Sequence, residues 1–157
     1  MSATGISDAL RHLAAMLETA ITRSGRFSEP VPVAIRHPRT LSDGDGPAFL
    51  LYPVHLNTDP VLRQGFAERM PFAELPLPVQ VDVLGVACGP DDQALALLDI
   101  VMGTLSGMPP IAVNDTFKAE LFWADRDMAA MTALWRALDA PLRPSIVLQM
   151  RVHPNHR

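Results

Sequence analysis

The chain has 157 residues, of which 48% are hydrophobic and 19% charged, and its formal net charge is −4 at pH 7. This size suits one good core, so we predict a single domain over residues 1–157, ending in a flexible tail at 153–157. The composition argues against disorder, and the absence of a Lys or Arg cluster argues against nucleic acid as a partner. The apolar runs are too short and too interrupted to cross a bilayer, so we expect no membrane partner.

The cysteine count and the N-terminus indicate a reducing compartment. Cys88 is the only cysteine, so the chain can form neither an internal disulfide nor a thiolate metal cage. The first residues lack the basic start and continuous apolar region of a signal peptide. We therefore expect the protein in the cytoplasm, with no cofactor and no metal.

Apolar periodicity predicts eight elements in the order α-β-β-β-α-β-α-β. They are a helix over 7–24 capped by Ser7, strands over 30–35, 49–56 and 77–87, a helix over 92–105, a strand over 116–124, a helix over 126–138 and a strand over 145–152. This order predicts an α/β (α+β) fold in which three helices pack on a largely antiparallel sheet of about five strands. The prolines at the start of strand 30–35 place it at an edge of the sheet.

Apolar residues at helical spacing predict which helix faces are buried. We expect the helix over 92–105 to be almost wholly covered and the helix over 126–138 to bury one stripe. The stripes contain Leu95, Leu98, Val101, Met102 and Leu105 in the first helix, and Met128, Met131, Leu134, Trp135 and Leu138 in the second. Phe122 and Trp123 are neighbours on a strand, so one of them points away from the core and needs a cover.

Few residues suggest chemistry, and each has a structural alternative. Cys88 could be a nucleophile served by His55, but a lone cysteine ending an apolar strand is more typical of a core. Asp82 lies between valines and could be a catalytic acid or a buried ion-pair partner of an arginine such as Arg151. His153 and His156 provide at most two metal ligands, and we interpret them as part of a solvated tail.

Two loops complete the description of the chain. The turn over 42–47 contains Asp-Gly-Asp-Gly but lacks the remaining ligands of a calcium loop, which favours an ordinary surface turn. The segment over 57–78 is too long for a tight turn, and loops of this length are often functional.

Three stretches, in this order, resemble a known family. They are LYPV at 51–54 followed by Asn57 and LRQ at 62–64, LPVQVDVL at 77–84 with the helix after it, and LWRAL at 134–138 leading into LRPS at 142–145. The chain resembles the N-terminal domain of tail terminator, or cap, proteins of extracellular contractile injection systems, which are phage-tail-like particles. It departs from the family pattern at Pro53, where an arginine is usual, and at Gln64, where an asparagine is usual.

The resemblance implies a structural role without catalysis. Proteins of this kind form a homohexameric ring that ends the inner tube and the sheath and stops polymerisation, so the implied partners are the protein itself, the tube protein and the sheath protein. The implied location is the cytoplasm during assembly and then the contractile particle. We predict that the loop over 57–72 and the exposed sheet edges carry these contacts, through Tyr52, Asn57, Arg63, Phe66, Trp123 and Arg143.

Two alternatives remain open at this stage. Another oligomeric connector or adaptor of a phage-like tail would share the low charge and the excess of apolar residues. A small enzyme or ligand-binding domain would instead be built around Asp82, His55 and Cys88. Many relatives in the family continue into further C-terminal sequence, so functions that reside there do not carry over.

Overall fold

The computed structural model describes residues 5–42, 44–58 and 79–155. Within these residues the chain forms three α-helices, six strands and one turn of 3-10 helix. In order they are α1 (Ile6–Ser24), β1 (Val33–Ile35), the 3-10 turn (Pro38–Thr40), β2 (Ala48–Thr58), β3 (Val79–Cys88), α2 (Asp91–Leu105), β4 (Ile111–Ala112), β5 (Phe117–Trp123), α3 (Met128–Ala137) and β6 (Ser145–Pro154).

The six strands form one mixed sheet in the order β1-β2-β3-β6-β5-β4. β1 pairs with β2 in parallel, and every other neighbouring pair is antiparallel. The predicted α/β class and largely antiparallel sheet are confirmed, and β1 lies at an edge as its prolines indicated. The additional strand is β4, whose two residues are too few to produce a periodic signal.

The larger core fills one face of the sheet, which we call the α1/α2 face. Alternate residues of β3, among them Val81 and Val83, point to this face and pack with Leu13 and Leu17 of α1 and Leu97 of α2. All of these side chains are fully buried. The period of two in β3 therefore places every second valine against the helices.

A smaller core fills part of the opposite face, which we call the α3 face. Leu84 and Val86 of β3 pack there against Trp135 of α3 and Val147 of β6. The sheet is thus covered by helices on both sides, over most of one face by α1 and α2 and over part of the other face by α3. The same strand β3 supplies both cores, which explains its almost continuous apolar sequence.

The first helix begins earlier than predicted and without the predicted cap. Its N-cap is Gly5, with φ 72°, and no side chain caps the helix. A Cβ atom on Gly5 would lie 3.1 Å from Cγ of Phe117. The chain enters the helix through a left-handed backbone conformation beside this ring. A glycine adopts this conformation at little cost, whereas a residue with a side chain does not.

Two strands extend further than predicted. β2 continues through Asn57, which pairs with Gln80, so the predicted end of this strand at residue 56 is wrong. β6 continues to Pro154, with His153 buried, and the Asn155 N–H donates to the Thr116 carbonyl at 2.7 Å. The tail predicted from residue 153 is therefore corrected for these positions, while residues 156–157 lie outside the described part of the chain.

The helix faces were only partly predicted. In α2 the buried residues are Ala94, Leu97, Val101 and Leu105, whereas Leu95 and Met102 are 61% and 44% exposed. In α3 Trp135 is buried as expected, but Met128 is 72% exposed. The expectation that α2 is almost wholly covered is wrong, because its neighbours leave one side open. None of the helices in the described residues has the length and apolarity needed to cross a membrane.

Candidate interaction surface

A polar row crosses the part of the α3 face that α3 leaves open. Asp82 of β3 lies between His55 of β2 on one side and Gln149 of β6 on the other. Gln149 in turn lies opposite Phe122 of β5. The four residues share one face because opposed residues in antiparallel strands point to the same side. This row brings two of the three residues of the enzyme alternative together.

Asp82 is a buried ion-pair partner, as one of the two predictions had it. The residue is 7% exposed, and its carboxylate accepts a hydrogen bond from Nη2 of Arg126 at 2.7 Å. The cation we named as an example was Arg151, which lies opposite Gln80 on the same face. Arg126 belongs to the segment between β5 and α3, so the ion pair fastens that segment to the centre of the sheet.

Arg151 covers the exposed aromatic ring of this row. Its guanidinium carbon lies 4.7 Å from the centroid of the Phe122 ring, and its Nη2 is 3.3 Å from Oε1 of Gln149. A cation over a ring face is attracted by the ring quadrupole. The predicted cover for Phe122 is therefore an arginine of the neighbouring strand, Arg151. Trp123 points to the other face of the sheet.

The predicted contact residues fall in different places. Tyr52 packs edge-on against His37 with ring centroids 4.7 Å apart, and exposed Asn57 has its Nδ2 2.9 Å from Nε2 of His55. Arg143 is half-buried before β6. Arg63 and Phe66 lie outside the described residues, as does the loop from 59 onward.

Cys88 belongs to the smaller core and not to a reactive site. It is 2% exposed, and burial raises the pKa of its thiol to about 11. It lies six residues from Asp82 along β3, and at about 3.4 Å per residue this is roughly 20 Å. The prediction of a core cysteine is confirmed, and the three residues of the enzyme alternative do not converge.

The described residues of the candidate metal positions make other contacts, whereas Asp43 and His156 lie outside the described part of the chain. In the turn over 42–47 the Ser42 N–H donates to Oδ2 of Asp45 at 2.9 Å, and this hydrogen bond lowers the pKa of Asp45. His153 has its Nε2 3.6 Å from Oε2 of Glu120. Among the residues that the structure describes, no three His, Cys, Asp or Glu side chains group closely enough to hold a metal ion.

A concavity of about 420 Å3 opens where β5 ends beside β6, and we call it the β6 notch. Trp123, 46% exposed, and Met102 of α2 line one side, and Met131 of α3 lines the other. The full lining is Met102, Trp123, Ala124, Asp125, Arg126, Met131, Ser145, Ile146 and Val147. The notch therefore combines apolar walls with the open edge of a strand.

The floor of the notch is an unpaired stretch of β6. The last link to β5 is the hydrogen bond from the Ala124 N–H to the Val147 carbonyl, at 3.1 Å. Because backbone groups alternate in direction along a strand, Ser145 directs its N–H and C=O to the same side as Val147. The Ala87 N–H donates to the Pro144 carbonyl at 3.0 Å, so Ser145 faces away from β3, and in the described residues the pairing of β5 with β6 ends at Trp123 and Leu148, before it reaches Ser145.

The sequence predicted Trp123 as a contact residue, and Trp123 lines the notch, but the prediction did not include the lining residues Arg126, Met102 and Ser145. Met102 was assigned to a buried stripe, and Arg126 was assigned only to a helix start. The sequence has no local signal for Ser145, because its open edge arises where the pairing of β5 with β6 ends at Trp123 and Leu148 while β6 begins at Ser145.

The comparisons with known proteins give a family from one family model and a shared fold from solved structures. The family model described as the Pvc16 N-terminal domain matches residues 8–154. A sheath/tube terminator of an extracellular contractile injection system, in its extended state, superposes with a TM-score of 0.69 at 16% identity. The tube-terminating cap of the anti-feeding prophage superposes with a TM-score of 0.64 at 14% identity. A comparison with curated protein sequences found no match.

The similarity covers the whole of this chain but not the whole of those proteins. It extends over 100% of the chain and 59% of the sheath/tube terminator, and over 97% of the chain and 56% of the anti-feeding prophage cap. The chain thus spans somewhat more than half the length of the solved structures it matches. At these identities the superpositions show a shared fold.

Proposed function

The chain belongs to the Pvc16 N-terminal domain family, and from this membership we propose that it is a structural terminator of a contractile injection system. In this role it forms a homohexameric ring that ends the inner tube and the sheath and stops their polymerisation. Its partners are further copies of itself, the inner-tube protein and the sheath protein. It assembles in the cytoplasm and becomes part of the contractile particle.

The observation that carries the proposal is the extent of the fold similarity. The sheath/tube terminator superposes over all of this chain, from α1 to β6, and the family model spans nearly the same residues. Fold alone does not define function, so the surface must also suit the role. A terminator needs neighbours on its sides, and the β6 notch with exposed Trp123 and Met102 offers a surface for one.

The described surface supports a structural role in preference to catalysis. Asp82 is engaged by Arg126, and Cys88 is buried with a raised thiol pKa at the far end of β3. A catalytic nucleophile or acid has to reach a substrate, and neither group is free to do so. We extend the proposed contact surface to Tyr52, Asn57, Trp123 and Arg143, and from the resemblance to Arg63 and Phe66.

Growth of inner tubes in the presence of the purified protein tests this function. The inner-tube protein of the same system is polymerised with and without the chain, and tube lengths are measured by electron microscopy while light scattering measures the mass of the free protein. We expect a ring-sized species and tubes that stop growing with the protein at their ends. A protein that stays monomeric and leaves tube length unchanged would overturn the proposal. Binding to tube ends without arrest would favour the connector alternative.

A further inference from the structure

We propose that the β6 notch receives strand β1 of a second copy of this chain, so that an antiparallel pair between Ile35 and Ser145 forms each contact around the ring. The inference rests on the proposed function, because it assigns the surface through which the terminator closes on itself. The contact joins two different patches of the protein, one at the edge strand β1 and one at the β6 notch. Contacts between different patches are heterologous, and such contacts close into rings when their rotation permits.

The notch determines the kind of group that fits it. Ser145 offers one N–H donor and one carbonyl acceptor at an open strand edge, and this pattern is matched by the backbone of an extended segment. The walls contributed by Trp123, Met102 and Met131 are apolar. An extended segment with an apolar side chain therefore satisfies both the floor and the walls.

Strand β1 has a matching free edge. The Arg36 N–H donates to the Leu51 carbonyl at 3.2 Å, so Arg36 faces β2 and its neighbour Ile35 directs its N–H and C=O away from the sheet. The N–H of Val33, which points the same way, is already accepted by Oε2 of Glu18 at 3.4 Å. The open part of this edge is consequently centred on Ile35, whose side chain is 40% exposed.

Charges at the two patches are complementary. The rim of the notch carries Asp125 and is followed by Asp127, and both are exposed, whereas Arg126 between them is paired with Asp82 at 2.7 Å. The segment after Ile35 carries Arg36 and Arg39, also exposed, and Nη1 of Arg39 lies 3.4 Å from Oδ2 of Asp139 in its own chain. The guanidinium of Arg36 donates a hydrogen bond to the Thr40 carbonyl at 3.2 Å and lies close enough to Asp45 to help lower the pKa of that carboxyl. Opposite charges at the rim of an interface favour the correct register and speed association.

The pairing cannot form within one chain. β1 is separated from β6 by β2 and β3, which places them three inter-strand spacings, or about 14 Å, apart. A disulfide requires Cα atoms within about 7 Å. A disulfide between positions 35 and 145 can therefore form only between two copies, whereas opposed residues of a hydrogen-bonded antiparallel pair lie about 5.5 Å apart, within bonding range.

Disulfide trapping of the variant Ile35→Cys/Ser145→Cys, in a Cys88→Ala background, provides the first test. Oxidation under ring-forming conditions should give a ladder of covalent species ending at the ring mass on non-reducing gels. Each single-cysteine variant, and the pair Ile35→Cys/Leu95→Cys, should give at most dimers or untrapped protein. Leu95 is a suitable control position because its side chain is 61% exposed on α2.

A charge exchange provides a second test that does not depend on cysteine or on buried residues. Asp125→Arg alone and Arg36→Asp alone should each weaken self-association by about fivefold, as expected for a rim charge contact. The double variant should regain most of the association of the unmodified chain. Circular dichroism and urea unfolding show whether each variant is folded.

The outcomes separate this inference from the proposed function. Rings that arrest tube growth but neither trap through positions 35 and 145 nor respond to the charge exchange would overturn the β1–notch contact and leave the terminator role intact. A protein that never associates with itself overturns both. Trapping to the ring mass together with recovery in the double variant supports the contact, and arrest of tubes by the same preparation tests the function independently.

Discussion

At the scale of the residue, Asp82 shows how a polar side chain is retained among valines. It lies in the centre of β3 and is 7% exposed, and a buried carboxylate is costly unless it is paired. Arg126 supplies the positive charge, with its Nη2 2.7 Å from Oδ2 of Asp82. Because the Arg126 side chain is 40% exposed, solvent screens part of this attraction. The pair therefore fixes the segment between β5 and α3 more than it adds net stability.

We expect Arg126→Met to lower the free energy of unfolding by about 1–3 kcal/mol, because it leaves the buried acceptor on Asp82 without its donor. Urea unfolding measures the change. The double variant Asp82→Val/Arg126→Met should recover most of the loss, since removing both partners leaves no unpaired group.

Arg11→Met is the matched control for this change. Arg11 pairs with Asp8 at 3.7 Å on the surface of α1, and both side chains are more than half exposed. Its loss should alter the unfolding free energy by less than about 0.5 kcal/mol. A value for Arg126→Met as small as that of the control would show that Asp82 does not depend on this partner.

At the scale of the element, β3 contains a glycine because the ring of Phe49 occupies the space that a side chain would need. Gly85 pairs with Leu51 on one side and Ile146 on the other. A Cβ atom at this position would lie 2.9 Å from Cζ of Phe49 and 3.1 Å from Cγ1 of Ile146. The glycine in an otherwise valine-rich strand is thus a packing requirement.

Gly85→Ala should therefore destabilise the protein by about 1–3 kcal/mol, because the added methyl group forces Phe49 and Ile146 apart. The matched control is Gly103→Ala in α2, where an added Cβ meets nothing within 4 Å. That change should stabilise the protein by up to about 1 kcal/mol, since alanine favours a helix over glycine. Thermal unfolding of the two variants should shift in opposite directions, and a neutral Gly85→Ala would contradict the packing account.

The elements also show what the sequence could and could not predict. Periodicity located three helices and five strands, and the prolines before Val33 placed β1 at an edge, because these signals are local. The two-residue strand β4 gives no period, and Asn57 reads as a turn former although β3 pairs with it. Turn propensity was overridden there by the neighbouring strand.

The candidate site was predictable only where one side chain carried the signal. Trp123 stands out as an aromatic residue next to another on a strand, and it does line the notch. The partner of Asp82 depends on a segment 44 residues away. The exposure of Met102 depends on which side of α2 its neighbours cover, which an apolar pattern on more than one face does not specify.

At the scale of the whole molecule, the two tryptophans separate the core from the surface. Trp135 is 2% exposed in the smaller core, whereas Trp123 is 46% exposed at the notch. Large aromatic residues left half-exposed beside other apolar side chains are typical of the centres of interfaces. The two residues share the same chemistry, so their substitutions distinguish folding from assembly.

We expect Trp123→Ser to change the free energy of unfolding by less than about 1 kcal/mol. The same substitution should weaken self-association tenfold or more, which corresponds to a loss of at least about 1.4 kcal/mol of association free energy. Trp135→Ala should instead lower the free energy of unfolding of the monomer by about 3–5 kcal/mol, because it leaves a cavity in the core. In a Trp135→Phe variant the remaining tryptophan, Trp123, should shift its emission to shorter wavelength as protein concentration rises, since a neighbouring copy removes water from its ring. Trp123→Ser protein that forms rings and arrests tubes as the unmodified chain does would exclude the notch from the interface.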